Sequence, residues 1–261
     1  MGLKKGPVLL MFAILLPAIF AACPVAAADA RTEAVPVERS EGLPARGLID
    51  LRSNFSDGAY DVETLVRMAK DRGFSVVIIN DHDRAAMEYG LAPLRNVVKK
   101  REEKGSVNRW GASAWLQAIR EAEKKHPDMV VIPGTESAPF YHWTGSPVRG
   151  DLTAWNHERR ILTIGLDSAE DYQSLPVLHN GFTTRWMGMA LPGIFAFLAA
   201  LAAGAVMIRW KGLYRIAGIG VVAVSLVFLV NSDPFRSSPF DPYSGDQGIA
   251  PWQLLIDDVH G

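Results

Sequence analysis

Two long apolar runs, set almost end to end, constrain this chain more than any other feature. The first extends from about Trp186 to Ile208 and the second from about Leu213 to Val230; Arg215, near one end, is the only charged residue in either. Each is long enough to cross roughly 30 Å of hydrocarbon as a helix. Gly and Ala are frequent in the first, as close helix packing in lipid favours. Trp186, Trp210 and Tyr214 lie near the ends, where aromatic side chains gather at the membrane–water boundary. Two such runs in tandem argue against a buried hairpin inside a soluble core. The turn between them carries Arg209, Lys211 and Arg215 and no acid, which places it on the cytoplasmic side and both flanks outside.

The N-terminus points the same way. Lys4 and Lys5 precede an apolar stretch from Val8 to Ala22, and Ala28-Asp29-Ala30 suits a small-x-small cleavage site. Residues 1–30 read as a signal peptide, with an uncleaved anchor as the alternative. The expected location is the cytoplasmic (inner) membrane, with the soluble part on the extracytoplasmic, periplasmic side. Cys23 is the sole cysteine, which excludes an internal disulfide or a cysteine-based zinc site within these residues. With 27 basic and 28 acidic residues the net charge is −1, and nothing electrostatic favours a nucleic-acid partner.

The soluble sequence alternates strand and helix signals. After a linker over 31–46, Gly47 to Leu51 reads as a strand and Asn54 to Gly58 as a turn. Asp61 caps a helix reaching about Lys70, with Val62, Leu65, Val66 and Ala69 on one face and Gly73 as its stop. Ser75 to Asn80 is an apolar strand of the buried parallel kind. The charged stretch from Leu94 to Lys104 reads as a solvated helix, and 111–125 as a helix packing Ala112, Trp115, Leu116 and Ile119. Met129 to Ile132 is a third strand, ended by Pro133-Gly134, and Ile161 to Leu166 a fourth. Beyond the hairpin, Asn231 to Gly248 is a loop and Pro251 to His260 a helix with Leu254, Leu255 and Val259 on one face. The pattern predicts an α/β sheet or barrel of parallel strands. It runs over 47–184, is interrupted by a membrane hairpin over 185–231, and resumes within 232–261.

Chemistry-bearing residues follow the predicted strand ends. Asp50 lies in the first strand and Asp57 in its loop, Asp81-His82-Asp83 follows the second, and Glu136 the third. The C-terminal mouth of a parallel barrel is where sites are built. Carboxylates and imidazoles there have the ligand types for Zn, Mn or Fe, which lower the pKa of a bound water and polarise a phosphoryl oxygen. No glycine-rich phosphate loop is present; Gly218-Ile219-Gly220 lies inside an apolar run. His126, His179 and His260 have plain readings as surface, turn and helix-end residues.

Ser53-Asn54-Phe55-Ser56-Asp57-Gly58, then a helix, then Val77-Ile78-Ile79-Asn80-Asp81-His82-Asp83, resembles the polymerase-and-histidinol-phosphatase (PHP) superfamily. Pro133-Gly134-Thr135-Glu136 resembles its third motif, and the segment Pro251 to His260 a later helix. The resemblance implies an α/β fold, a distorted (β/α)7 barrel with two or three divalent metal ions, acting on phosphoesters. It matches His82 to a metal ligand, Glu136 to the bridging carboxylate and Asp57 to a further ligand. Asp50 is an additional candidate, and His157, or else His142, stands for the histidine after the glutamate. Arg52 and Asp81 are the candidate catalytic residues, Arg52 as a clamp for a phosphate.

Two departures are plain. Where the family opens with His-x-His, this chain has Asp50-Leu51-Arg52, and an arginine offers a metal no lone pair. The family's last motifs are absent from these 261 residues, so the barrel is expected to be incomplete or the chain a piece of a longer one. The chain is thus expected to be a membrane-anchored metal-dependent phosphoesterase acting on a phosphorylated small molecule. The alternative is a catalytically inactive PHP-fold ligand-binding or scaffold module, or a truncated product. Arg52 discriminates: pointing into the cluster and pairing with Asp57 or Glu136, it replaces the metal by a salt bridge.

Overall fold

A computed structural model describes residues 44–260. The signal-like block, Cys23 and most of the linker lie outside these residues. The first strand, β1 (Gly47–Leu51), leads through a tight turn into helix α1 (Val62–Asp71). Asp61 caps the helix by accepting the Thr64 N–H at 2.7 Å. Val62, Val66 and Ala69, at helical spacing, are buried. Gly73, at φ +78°, turns the chain away from the helix and into β2 (Val76–His82).

A two-stranded excursion follows, β3 (Ala86–Gly90) and β4 (Lys99–Glu103), then α2 (Val107–Trp110), α3 (Ala112–Lys125) and β5 (Val130–Ser137). A second hairpin pairs β6 (His142–Thr144) with β7 (Thr153–Trp155). After β8 (Ile161–Ile164) come α4 (Ala169–Ser174), α5 (Met187–Ile208), α6 (Leu213–Asn231) and α7 (Ala250–His260). The main sheet has the order β1-β2-β5-β8, curled into a half-barrel. Val77 and Ile79 of β2 are fully buried and share one core with α1, with Trp115, Leu116 and Ile119 of α3, and with Leu255 of α7.

Several expectations are corrected. The stretch expected as a charged helix contains β4, antiparallel to β3 with Glu88 opposite Arg101 and Tyr89 opposite Lys100. Opposite charges facing each other across a ladder stabilise a strand as well as they would a helix face. Strand β2 continues to His82, and β5 passes through Pro133-Gly134 to Ser137, so His82 and Glu136 stand on strands and not beyond them. Pro133 keeps its acceptor role, taking the Gly165 N–H at 2.9 Å. Gly134 is where the neighbours come closest: a Cβ there would lie 2.6 Å from Asn80 Nδ2 and 3.0 Å from Thr163 O. The fourth strand, β8, runs antiparallel to β5, so the sheet is mixed and not wholly parallel.

Helices α5 and α6 are long and apolar enough to cross a membrane, and only 11% of each apolar window is buried within the protein, far less than a core helix of a soluble fold. They cross closely at Gly204 and Gly218, where an added Cβ would meet the opposing backbone, and Phe197 stacks on Phe228 at 5.2 Å. Both ends of the pair are tied to the sheet domain. Thr183 N–H donates to Phe235 O at 3.1 Å, Asn180 N–H to Ser237 Oγ at 3.0 Å, and Asn96 binds Asn231 twice.

Candidate functional site

The parallel register sets His82 of β2 directly beside Glu136 of β5, so their side chains share one face. Asp81, one residue earlier, points to the opposite face and is fully buried. Its carboxylate accepts from Ser53 N–H at 2.7 Å, Ser53 Oγ at 2.6 Å, Trp115 Nε1 at 2.9 Å and Ser56 Oγ. Asp81 therefore anchors the loop after β1 to β2 and α3. In that loop the Ser53 carbonyl receives the Ser56 and Gly58 N–H groups, and the turn carries Asp57 over the His82 face. Asp50, at φ +64°, sits where the β1–β2 register shifts, and its N–H donates to Asn80 Oδ1 at 3.1 Å.

Arg52 lies at the middle of the resulting cluster. Its Nη1 is 3.2 Å from Asp57 Oδ2, its Nη2 3.3 Å from Glu136 Oε2 and its Nε 3.7 Å from Asp50 Oδ1. His82 bridges the same carboxylates, with Nε2 3.4 Å from Asp57 Oδ2 and Nδ1 3.2 Å from Glu136 Oε2. A second guanidinium arrives from the residue before β8: Arg160 Nη1 is 3.3 Å from Glu136 Oε2 and within 3.4 Å of both His82 ring nitrogens. Burial, and then the charge of Arg160, push the His82 pKa below its ordinary value. Burial alone would raise Asp57; the His82 ring and the Arg52 guanidinium outweigh it and hold the carboxyl below the usual range. Burial would lower Arg52, but Glu136, Asp57 and Asp50 raise it, so it stays charged.

Five of the expected site residues are thus brought together: Asp50, Arg52, Asp57, His82 and Glu136. Asp81 lies behind them in the core. His157 is 42% exposed on its side chain and contacts Glu158 at 3.4 Å, and His142 is buried beside Phe140. The residue that β8 delivers to the cluster is Arg160. Its only trace in sequence is the Arg159-Arg160 pair at the head of a strand, which by itself signals nothing.

A divalent ion does not fit this donor set. Glu136 Oε2, the oxygen best placed to ligate, is where both guanidiniums converge, each at 3.3 Å. A dication on that oxygen would face two fixed positive charges at close range. Among the described residues no group of three or more His, Cys, Asp or Glu side chains is arranged to hold a metal. What the cluster can do is bind an anion. Asp57 is 53% exposed on its side chain and meets Arg52 through Nη1 alone, so it can yield that place to an incoming phosphate or carboxylate.

No family model and no curated protein matches the chain. A solved structure from Bifidobacterium adolescentis, provisionally named a metal-dependent phosphoesterase, is similar at 19% identity and a TM-score of 0.33. The similarity covers 84% of this chain and 64% of that one, so the chain spans under two thirds of the other's length.

Proposed function

We propose that this chain is a membrane-anchored binding module of PHP-like fold, in which an arginine–carboxylate network stands in place of the metal centre. The observation that carries this reading is Arg52, whose guanidinium reaches both Asp57 and Glu136. Arg160 supports it from the other side of Glu136. The ligand class is a small anion bearing phosphate or carboxylate, received by the Arg52 fork. The two apolar helices anchor the module in the cytoplasmic membrane. The basic turn of Arg209, Lys211 and Arg215 supports an orientation with the sheet domain outside.

One observation favours a second reading, the metal-dependent phosphoesterase. Glu136 Oε2 is buried and takes no hydrogen bond of good geometry, although three nitrogens surround it. Metal analysis separates the two. The full chain, purified in mild detergent, is expected to hold well below one equivalent of Zn, Mn or Fe, with no change in His82→Ala or Glu136→Ala. One equivalent or more in the native chain, lost in both variants, would overturn the binding-module reading in favour of the hydrolase.

A further inference from the structure

A cavity of about 550 Å³ lies away from the Arg52 cluster, between the β3–β4 hairpin and the two segments that join α5 and α6 to the sheet domain. Its lining carries five basic side chains, Arg84, Arg95, Lys99, Arg101 and Arg236, against the acids Glu88, Asp233 and Asp241. Glu88 is neutralised by Lys99 at 2.6 Å and Arg101 at 2.8 Å. Arg84 pairs with Glu103 but keeps a buried Nε without an acceptor. Arg95 and Arg236 have no carboxylate within 4 Å among the described residues. Arg95 lies over the Tyr243 ring at 4.1 Å, and Arg236 Nη2 lies 3.8 Å from the Met189 sulfur. Half-buried guanidiniums with no carboxylate within 4 Å leave several N–H donors for an anion.

The position of the cavity narrows the source. Its lining includes Asn231, the last residue of α6, with Ser232 and Asp233 just beyond it. On the other side it includes Phe182, 93% exposed, a few residues ahead of α5. If the helices cross a bilayer, these residues sit at the level of the lipid headgroups.

We infer that this cavity binds a phosphate-bearing anion through Arg95 and Arg236, and that the phosphate is that of an anionic phospholipid headgroup or of a soluble phosphoester. The lipid source rests on the membrane reading of α5 and α6 given above.

The test uses the full chain in a neutral detergent, with native mass spectrometry counting bound molecules. The probes are phosphatidylglycerol, phosphatidylcholine and glycerol phosphate. One phosphatidylglycerol is expected per chain, with phosphatidylcholine not retained. Binding is expected to weaken about tenfold or more in Arg95→Gln/Arg236→Gln. It should persist in Arg95→Lys, which keeps the charge, and in Lys100→Gln, which removes one from the same hairpin outside the cavity. If the double variant does not fold, the two single glutamine variants serve in its place. Glycerol phosphate binding as tightly as the lipid, with the same loss in the variants, identifies the soluble source and still supports the site. Equal retention of both lipids, binding insensitive to the arginine substitutions, or no binding of any probe overturns it. Carbonate extraction of cell membranes keeps the two readings apart. A chain that washes off fails as a membrane protein, whereas one that stays but shows no phosphate preference fails only here.

Discussion

Asp81 gathers four hydrogen bonds in the core, two of them from Ser53. Asp81→Ala strands donors on three residues, Ser53 and Trp115 among them fully buried, and we expect a loss of about 3 kcal/mol, read as a lower unfolding midpoint of the detergent-solubilised chain. An acid serving only to handle substrate would leave that midpoint near its original value. His179 provides a pH test. Burial, only partly offset by the nearby Glu88, depresses its pKa to about 4, and its Nε2 lies 2.7 Å from the Tyr141 hydroxyl. The unfolded chain then binds the extra proton first, so stability is lost as pH falls from about 6.5 towards 4. His179→Gln is expected to flatten that decline, measured as unfolding midpoint against pH. At this scale the sequence was informative where residue type restricts chemistry. Arg52 was recognisable as an obstacle to a metal because a guanidinium offers no lone pair. Arg160 and the buried role of Asp81 were not legible, because both depend on which strand lies beside which.

The strands and helices show where periodicity is sufficient and where it is not. Helices α1 and α3 were readable because their apolar residues recur on one face. The segment from Lys99 to Glu103 has no apolar residue, and its charges satisfy helical spacing and strand alternation alike. Its partner β3 decides the matter, and a partner is a tertiary fact. The same holds for Pro133-Gly134, which reads as a strand end in sequence but lies inside β5, where the close neighbours require the glycine. For the α5–α6 pair the crossing point yields a test. A Cβ on Gly218 would lie 2.8 Å from both Gly204 O and Ile208 N. Gly218→Leu is therefore expected to part the helices and lower the unfolding midpoint in detergent by the equivalent of about 1–3 kcal/mol, with Gly218→Ala milder.

For the whole molecule the leading question is orientation. A reporter enzyme active only outside the cytoplasm, inserted after Lys211, is expected to be silent; inserted after Gly245 it is expected to be active. The reverse pattern would place the sheet domain inside the cell and remove the extracytoplasmic reading. A further consequence lies in the position of Leu255. It is fully buried in the core built by residues 48–177, yet it is made after both apolar helices. A ribosome delivers the sheet first and Leu255 only after α5 and α6. If the proposed topology holds, the domain outside waits, unsealed, for a segment that reaches it only once the hairpin has been threaded. Errors of insertion then become errors of folding, and a chain whose hairpin fails to enter the bilayer leaves that core open to quality-control proteases.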